Sequence, residues 1–287
     1  GGKVVKRYPI IPGIDLAGTV AASRDSRFRE GDKVIVTGYE LGVSHHGGYS
    51  EYARVPGDWV VPLPDGLSLK EAMALGTAGL TAAMSIDRLQ QLGLSPDKGP
   101  VLVTGATGGV GSLAVSMLAR LGYEVEASTG NPEGEDALRR LGASRVLPRL
   151  DPMPDTVRPL DKQKWAGAVD PVGGPALGRI LSSIRYGGAV AVSGMAGGTE
   201  WQASVFPFIL RGVQLLGIDS AYCPHALRTQ LWRRMAGEWK PLRLGELCRE
   251  TTLAELPEVL SRFLAGRHWG RTVVRLQSAE SAGASLG

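Results

Sequence analysis

The stretch Val101-Leu-Val-Thr-Gly-Ala-Thr-Gly-Gly-Val-Gly-Ser112 decides the fold, because an apolar run breaks there into a glycine-rich turn and then an amphipathic segment. Strand, turn and helix stand in the order that a dinucleotide pyrophosphate requires. Gly108 and Gly109 lack the Cβ that would keep a phosphate away from the backbone, and Gly111 lets the following helix press against the strand. The helix N-terminus offers unpaired N–H groups and the positive end of its dipole. Against the G-x-G-x-x-G pattern the first glycine is replaced by Ala106, so the surrounding sequence has to support the assignment.

Val110, Leu113, Ala114, Met117, Leu118 and Leu121 recur at helical spacing, and Gly122 closes that helix. A strand over Tyr123–Thr129 follows, then a helical stretch around Glu133–Leu141. Short apolar runs at Ser144–Leu147, Trp165–Val172, Ala189–Ser193 and Val213–Asp219 predict further strands, with crossover helices around Ala176–Arg185 and Ser204–Arg211. Strands alternating with helices indicate an α/β fold with a doubly wound parallel Rossmann sheet, whose ligand sits at the strands' carboxyl ends.

Outside that region the chain changes character. Residues 1–75 are rich in Gly, Pro and Val, in short alternating runs at Lys33–Thr37, Tyr49–Val55 and Trp59–Leu63 that predict a small irregular β-barrel. Pro56-Gly57-Asp58 and Leu63-Pro64-Asp65-Gly66 mark turns. Leu253–Leu264 reads as a helix and Arg271–Leu276 as a strand that returns to the first domain. The expected organisation is a first part of the β-barrel domain over 1–75, a nucleotide-binding domain over 76–222, a return to the first domain over 223–277, and a small, polar, disordered tail over 278–287.

Composition sets the limits. A chain of 287 residues is long for one core. No apolar run is long enough to span a bilayer and no signal peptide is visible, so a cytoplasmic protein is expected, with no membrane partner. The net charge of +4 is spread along the chain without a basic block, which argues against nucleic acid. Cys223 and Cys248 are too few for a disulfide framework and read as packed thiols.

Several motifs then carry a family resemblance. Pro12-Gly-Ile-Asp-Leu-Ala-Gly-Thr19, Gly31-Asp-Lys-Val34, Gly47-Gly-Tyr-Ser-Glu-Tyr52 and Gly76-Thr-Ala-Gly79 resemble the medium-chain dehydrogenase/reductase superfamily. More narrowly, Asp161-Lys-Gln-Lys-Trp-Ala-Gly-Ala-Val-Asp-Pro-Val-Gly-Gly174, Tyr186-Gly-Gly188 and Phe206-Pro-Phe-Ile-Leu-Arg-Gly212 resemble its zinc-free YhdH/YhfP branch, quinone-oxidoreductase-like proteins that include NADPH-dependent acrylyl-CoA reductases. The resemblance runs from about residue 4 to Leu276. It implies a GroES-like β-barrel catalytic domain beside the Rossmann domain, the cofactor in the cleft between them, and a homodimer. In relatives the catalytic domain starts several strands earlier, in a segment whose Asn-Tyr-Lys-Asp tyrosine faces the nicotinamide. No residue here matches that tyrosine, so the chain reads as a fragment or a variant with an incomplete catalytic domain, and its catalytic residues are left unassigned.

The end of the second Rossmann strand bears on cofactor choice. An NAD site places an acid there for the ribose hydroxyls, and an acid repels a 2′-phosphate. This strand ends Ala127-Ser128-Thr129-Gly130-Asn131, neutral and hydroxyl-bearing, and Arg149 follows the neighbouring strand, within reach of a 2′-phosphate. The resemblance implies the same, since relatives use a Ser-Gly-Arg turn and an arginine after the next strand; Asn131 replaces the turn's arginine, which removes one charge-assisted bond. NADP is the favoured cofactor. Two alternatives stand beside it: Glu126 as an NAD-type acid, and Arg149 as an ordinary solvated charge.

Further contacts come from the resemblance. It implies that Thr107, Gly108, Gly109 and Val110 enclose the pyrophosphate, and that Met195, Ile209 and Ser220 line the nicotinamide end. Core packing is the competing account of Met195 and Ile209. Thr77 either approaches the nicotinamide or serves as a helix N-cap. His45 and His46 invite a metal reading, but zinc needs three or four converging ligands, and no Cys or further His lies at suitable spacing; a surface loop accounts for them, and His225 and His268 are isolated. Without a metal to polarise a carbonyl, the easier hydride acceptor is a conjugated system. An α,β-unsaturated acyl-CoA fits, with hydride delivered to its β-carbon and the enolate oxygen held by hydrogen-bond donors. A quinone is the alternative substrate, and a non-catalytic NADP-binding fragment is the reading of a different kind. The last Rossmann strand, with apolar Leu215 and Leu216, is an edge suited to pairing with a second copy.

Overall fold

The computed structural model describes residues 4–5, 7–150, 159–266 and 268–276, so the tail predicted over 278–287 lies outside the described residues. Packing divides the chain into two compact units. The first comprises the described residues of Gly1–Thr77, Ser220–Ala236 and Leu244–Gly287; the second comprises those of Ala78–Asp219 and Gly237–Arg243.

The first unit opens with an antiparallel sheet of β1 (Asp15–Thr19), β2 (Lys33–Thr37) and β3 (Val60–Pro62), in that order. Val34, Val36, Leu41 and Val60 form its core, with Leu16, Phe28 and Trp59 packed against it. The strand predicted over Tyr49–Val55 is absent. The N–H groups of Gly47, Gly48 and Tyr49 donate instead to the carbonyls of Ile11, Gly13 and Pro12, an irregular loop pairing that satisfies the backbone without a ladder. Helix α1 (Leu69–Gln91) starts with a capping box, in which Ser68 N donates to Glu71 Oε2 at 2.9 Å and Glu71 N to Ser68 Oγ at 3.2 Å. It breaks at Gly76, whose φ of 51° and ψ of −155° are not helical.

The second unit holds β4 (Val101–Val103), α2 (Gly109–Arg120), β5 (Val125–Thr129), α3 (Glu135–Arg140), β6 (Arg145–Pro148), β7 (Trp165–Asp170), α4 (Ala176–Ser183), β8 (Ile184–Val192), α5 (Phe206–Arg211) and β9 (Gln214–Gly217). The sheet is six-stranded, in the order β6-β5-β4-β7-β8-β9, and every pairing is parallel. This is the doubly wound Rossmann arrangement, and its strand order reverses between β4 and β7. Its core includes Leu102, Ala168, Leu177, Leu181 and Val190, all within 2 % exposure. The predicted strands are all present with shifted ends. β8 begins at Ile184 rather than Ala189, because Gly187 and Gly188 lie within the strand; a Cβ on Gly188 would meet the Ala166 carbonyl at 2.5 Å. β7 stops at Asp170 because Pro171 follows it and has no N–H to continue the ladder.

The chain then adds α6 (His225–Ala236), β10 (Cys248–Thr252), α7 (Leu256–Leu264) and β11 (Arg271–Arg275) to the first unit, with β10 and β11 paired in parallel. No helix among the described residues is long and apolar enough to cross a membrane.

Candidate cofactor site

The glycine turn between β4 and α2 has the form a phosphate cradle needs. Ala106 tolerates its Cβ because the side chain is fully buried and its N–H is tied to Ser128 O at 3.0 Å. The residue that takes the left-handed conformation is Gly105, at φ 52°. Gly111 allows close packing of α2 on the turn, since a Cβ there would overlap the carbonyl oxygen of Gly105. The first helical bond of α2 runs from Ser112 N to Gly108 O, so the N–H groups of Gly109, Val110 and Gly111 precede it. No acidic residue stands in the first turn to offset the dipole.

The end of β5 meets this turn directly. Thr107 Oγ1 and Thr129 Oγ1 are 2.9 Å apart, and Asn131 N donates to Thr129 Oγ1 at 3.0 Å. The Asn131 side chain accepts from Glu133 N at 3.1 Å, so it caps the turn that follows. Ser128 is buried and donates to Pro148 O at 2.9 Å, which holds the ends of β5 and β6 together. Arg149, exposed just beyond β6, lies against Gly130: a Cβ added there would stand 3.1 Å from Arg149 Nε. Glu126 is not available as an NAD-type acid. It is 7 % exposed, and its carboxylate accepts from Trp165 Nε1 at 2.8 Å and Arg145 Nη1 at 2.9 Å.

Met195 follows β8 and Ile209 lies on α5; each is 68 % exposed, so core packing does not account for them. Ser220 belongs to the first unit, where its carbonyl accepts from Arg228 Nη2 at 3.1 Å. Thr77 is itself capped by Asp15. Its N–H donates to the Asp15 carboxylate at 3.0 Å and its Oγ1 to Asp15 Oδ1 at 2.5 Å, which restarts α1 after the break at Gly76. His46 Nδ1 accepts from Ile11 N at 3.0 Å, and His45 packs edge-on against Trp59. Among the described residues no three His, Cys, Asp or Glu side chains are grouped to hold a metal ion.

The sequence reading missed two polar groups at the carboxyl ends of the strands. Asp170, fully buried at the tip of β7, accepts from Thr104 Oγ1 at the tip of β4. Ser193 Oγ, just after β8, is buried with no hydrogen-bond partner. An orphaned hydroxyl, a helix start without an acid and a glycine turn open to a phosphate are the features a dinucleotide site presents. A separate cavity of about 440 Å³ opens at the amino ends of β7 and β8, lined among others by Leu92, Leu94, Lys98, Arg185 and Tyr186.

Residues 1–65 match the alcohol dehydrogenase GroES-like domain, and residues 109–237 match the zinc-binding dehydrogenase family. The zinc in that family's description has no matching donor set among the described residues. The putative quinone oxidoreductase YhfP of Bacillus subtilis is 60 % identical over 277 residues, covering 96 % of this chain and 84 % of that protein. Its crystal structure with NAD bound superposes with a TM-score of 0.93 over the same shares of the two chains. The acrylyl-CoA reductase AcuI of Ruegeria pomeroyi is 51 % identical over 275 residues, 96 % of this chain and 83 % of that one. The yhdH oxidoreductase of Salmonella enterica, crystallised with NADP, is 45 % identical with a TM-score of 0.92, covering 96 % of this chain and 85 % of that one.

Proposed function

We propose, since this chain belongs to the medium-chain dehydrogenase/reductase superfamily and to its YhdH/YhfP branch, that it is an NADPH-dependent reductase of the C=C bond in an α,β-unsaturated acyl-CoA of the acrylyl-CoA type. The observation that carries the cofactor half of this reading is Arg149 laid against Gly130 beside a neutral strand end, with Glu126 spent on Trp165 and Arg145. A guanidinium there favours a 2′-phosphate and no carboxylate opposes it. The relative crystallised with NAD shows that the fold accommodates the unphosphorylated nucleotide as well, which makes Arg149 the residue to test. The substrate half rests on the acrylyl-CoA reductase relative.

When bound, the reduced nicotinamide supplies a hydride for the β-carbon of the enoyl thioester. The chain's own work is binding and orientation. Gly109, Val110 and Gly111 receive the pyrophosphate on backbone N–H groups at the start of α2, and Thr107 and Gly108 enclose it, with the Gly108 N–H donating to Gly105 O at 2.9 Å. Thr129, Gly130, Asn131 and Arg149 receive the ribose phosphate, the buried Ser128 holds that strand end through its bond to Pro148 O, and Met195 and Ile209 face the nicotinamide end. A quinone is the second reading, favoured by the name of the Bacillus subtilis relative. The edge strand β9, with Leu215 at 37 % exposure, suits pairing with a second copy in a cytoplasmic homodimer. A monomeric mass in solution would rule that assembly out.

NADPH oxidation measured with acryloyl-CoA and with a short-chain benzoquinone separates the two substrates. The acyl-CoA reading expects turnover of the thioester, and it fails if only the quinone is reduced. NADPH binding without turnover of either would leave a binding protein. Arg149→Ala is expected to raise the NADPH Kd by roughly 10- to 100-fold while leaving NADH binding unchanged.

A further inference from the structure

We infer that Asp170 is a positioning residue for the cofactor turn, acting through the Thr104 hydroxyl across the point where the strand order of the sheet reverses. The inference rests on the dinucleotide reading above. β4 and β7 are neighbours whose following loops diverge, and a ligand at the carboxyl ends sits in that crevice. Thr104 Oγ1 spans the crevice to Asp170 Oδ1 at 2.5 Å, beside the ladder bond from Thr104 N to Val169 O at 3.1 Å.

Asp170 is fully buried and forms no ion pair with a described residue. Its carboxylate is held by N–H and O–H donors alone. Val172 N donates to Oδ1 at 3.0 Å, and Gly173 N reaches both oxygens at 3.2 Å. A buried carboxylate is costly to keep, so these donors are fixed tightly to it. That fixes the loop after β7, and the loop in turn fixes its neighbours. Val172 Cγ2 would stand 2.9 Å from a Cβ on Gly105, so the side chain rests on the left-handed residue of the cofactor turn. A Cβ on Gly173 would stand 2.7 Å from Gly194 O, and Gly197 N donates to Val172 O at 2.8 Å, which seats the segment carrying Met195. Ser193 N donates to Asp170 O at 3.0 Å. One carboxylate therefore sets the loops after β4, β7 and β8 together.

If the tie positions the pyrophosphate turn, its loss weakens a ligand that contacts the turn and spares one that contacts only the ribose phosphate. Adenosine 2′-monophosphate is such a ligand, since it lacks both phosphates of the pyrophosphate and the nicotinamide. The experiment measures Kd for NADPH and for adenosine 2′-monophosphate, with thermal midpoints, on wild type, Thr104→Val, Thr104→Ser and Asp170→Asn. Thr104→Val deletes one donor at nearly constant shape and keeps the test open if Asp170→Asn fails to fold. The expected result is an NADPH Kd raised about tenfold in Thr104→Val, a 2′-monophosphate Kd within about twofold of wild type, and recovery in Thr104→Ser, which retains the hydroxyl. An unchanged NADPH Kd in Thr104→Val overturns the proposal, and so does a parallel loss of both ligands that tracks the thermal midpoint. Wild-type protein that binds neither ligand overturns the dinucleotide reading itself, and this proposal with it.

Discussion

The two compact units are held by different kinds of contact. In the second, Val101, Leu102, Val103, Leu113, Met117, Leu118, Val125 and Val190 are fully buried, and the sheet closes on continuous apolar strands. In the first, the sheets have only three and two strands, and α7 buries no residue at all. Polar side chains reach across long stretches of chain to compensate. Arg228, fully buried on α6, donates through Nη1 to Thr37 O at 2.6 Å and Thr37 Oγ1 at 2.8 Å. Through Nη2 it reaches Ser220 O, Ala221 O and Cys223 O, and its plane lies 4.3 Å from the centre of the Tyr39 ring. The difference teaches that small sheets do not bury enough apolar area to fix their own loops, so directional bonds fix them.

The largest test of this contrast removes that guanidinium. Arg228→Met removes the guanidinium's bonds to the carbonyls of Thr37, Ser220 and Ala221, and a methionine cannot replace them. A loss of roughly 3–5 kcal/mol is expected, read as faster amide exchange in β1 and β2 with β4, β5 and β7 still protected. Uniform loss of protection across both units would break the contrast. Leu118→Ala is the matching cut in the second unit, on the fully buried face of α2. It should cost about 3 kcal/mol through the cavity left behind, with the exchange pattern reversed.

The same contrast decides what could be read from sequence. The second unit was legible because apolar periodicity reports burial directly: Val101–Val103 and the Val110–Leu121 stripe need no distant partner to be recognised. β10, Cys-Arg-Glu-Thr-Thr, escaped notice because it is polar and partly exposed, and it becomes a strand only by pairing with β11. α6 escaped because a buried arginine interrupts its apolar face. In the candidate site, the glycines of the turn could be named in advance from the strand-turn-helix order, and residues 128–131 from the neutral strand end together with the family resemblance. Asp170 could not, because its role depends on Thr104 in a strand 66 positions away. Nor could the fate of Glu126, which is set by Trp165 Nε1.

A smaller effect is expected from Asp15→Ala. The carboxylate caps Thr77 across 62 positions of sequence and stands 3.8 Å from Arg271 Nη2. Its removal leaves the first N–H of the second half of α1 unpaired and should cost about 1–2 kcal/mol, measured as a shift in the denaturant midpoint. Asp15→Asn keeps an acceptor and should recover part of the loss. If both variants unfold like wild type, the directional bonds of the first unit matter less than their geometry suggests.

The smallest effect concerns pH. His268 accepts or donates at Thr272 Oγ1 across 2.9 Å and packs against the Phe263 ring. Burial, together with the cations Arg249, Arg271 and Arg262, pushes its imidazole below the ordinary value of 6.5. A depressed imidazole favours the neutral form in the folded state, so the unfolded chain takes up its proton first as pH falls through 6.5. Stability from this group is therefore constant above 6.5, declines below it, and levels off once the folded imidazole protonates. His268→Gln should flatten that limb of the stability curve, seen by subtracting the variant's denaturant midpoints from those of wild type between neutral and mildly acidic pH. A difference curve without slope in that window would show that the histidine is solvated like the cations around it. The first unit would then owe none of its acid sensitivity to this residue, and its polar ties would titrate elsewhere.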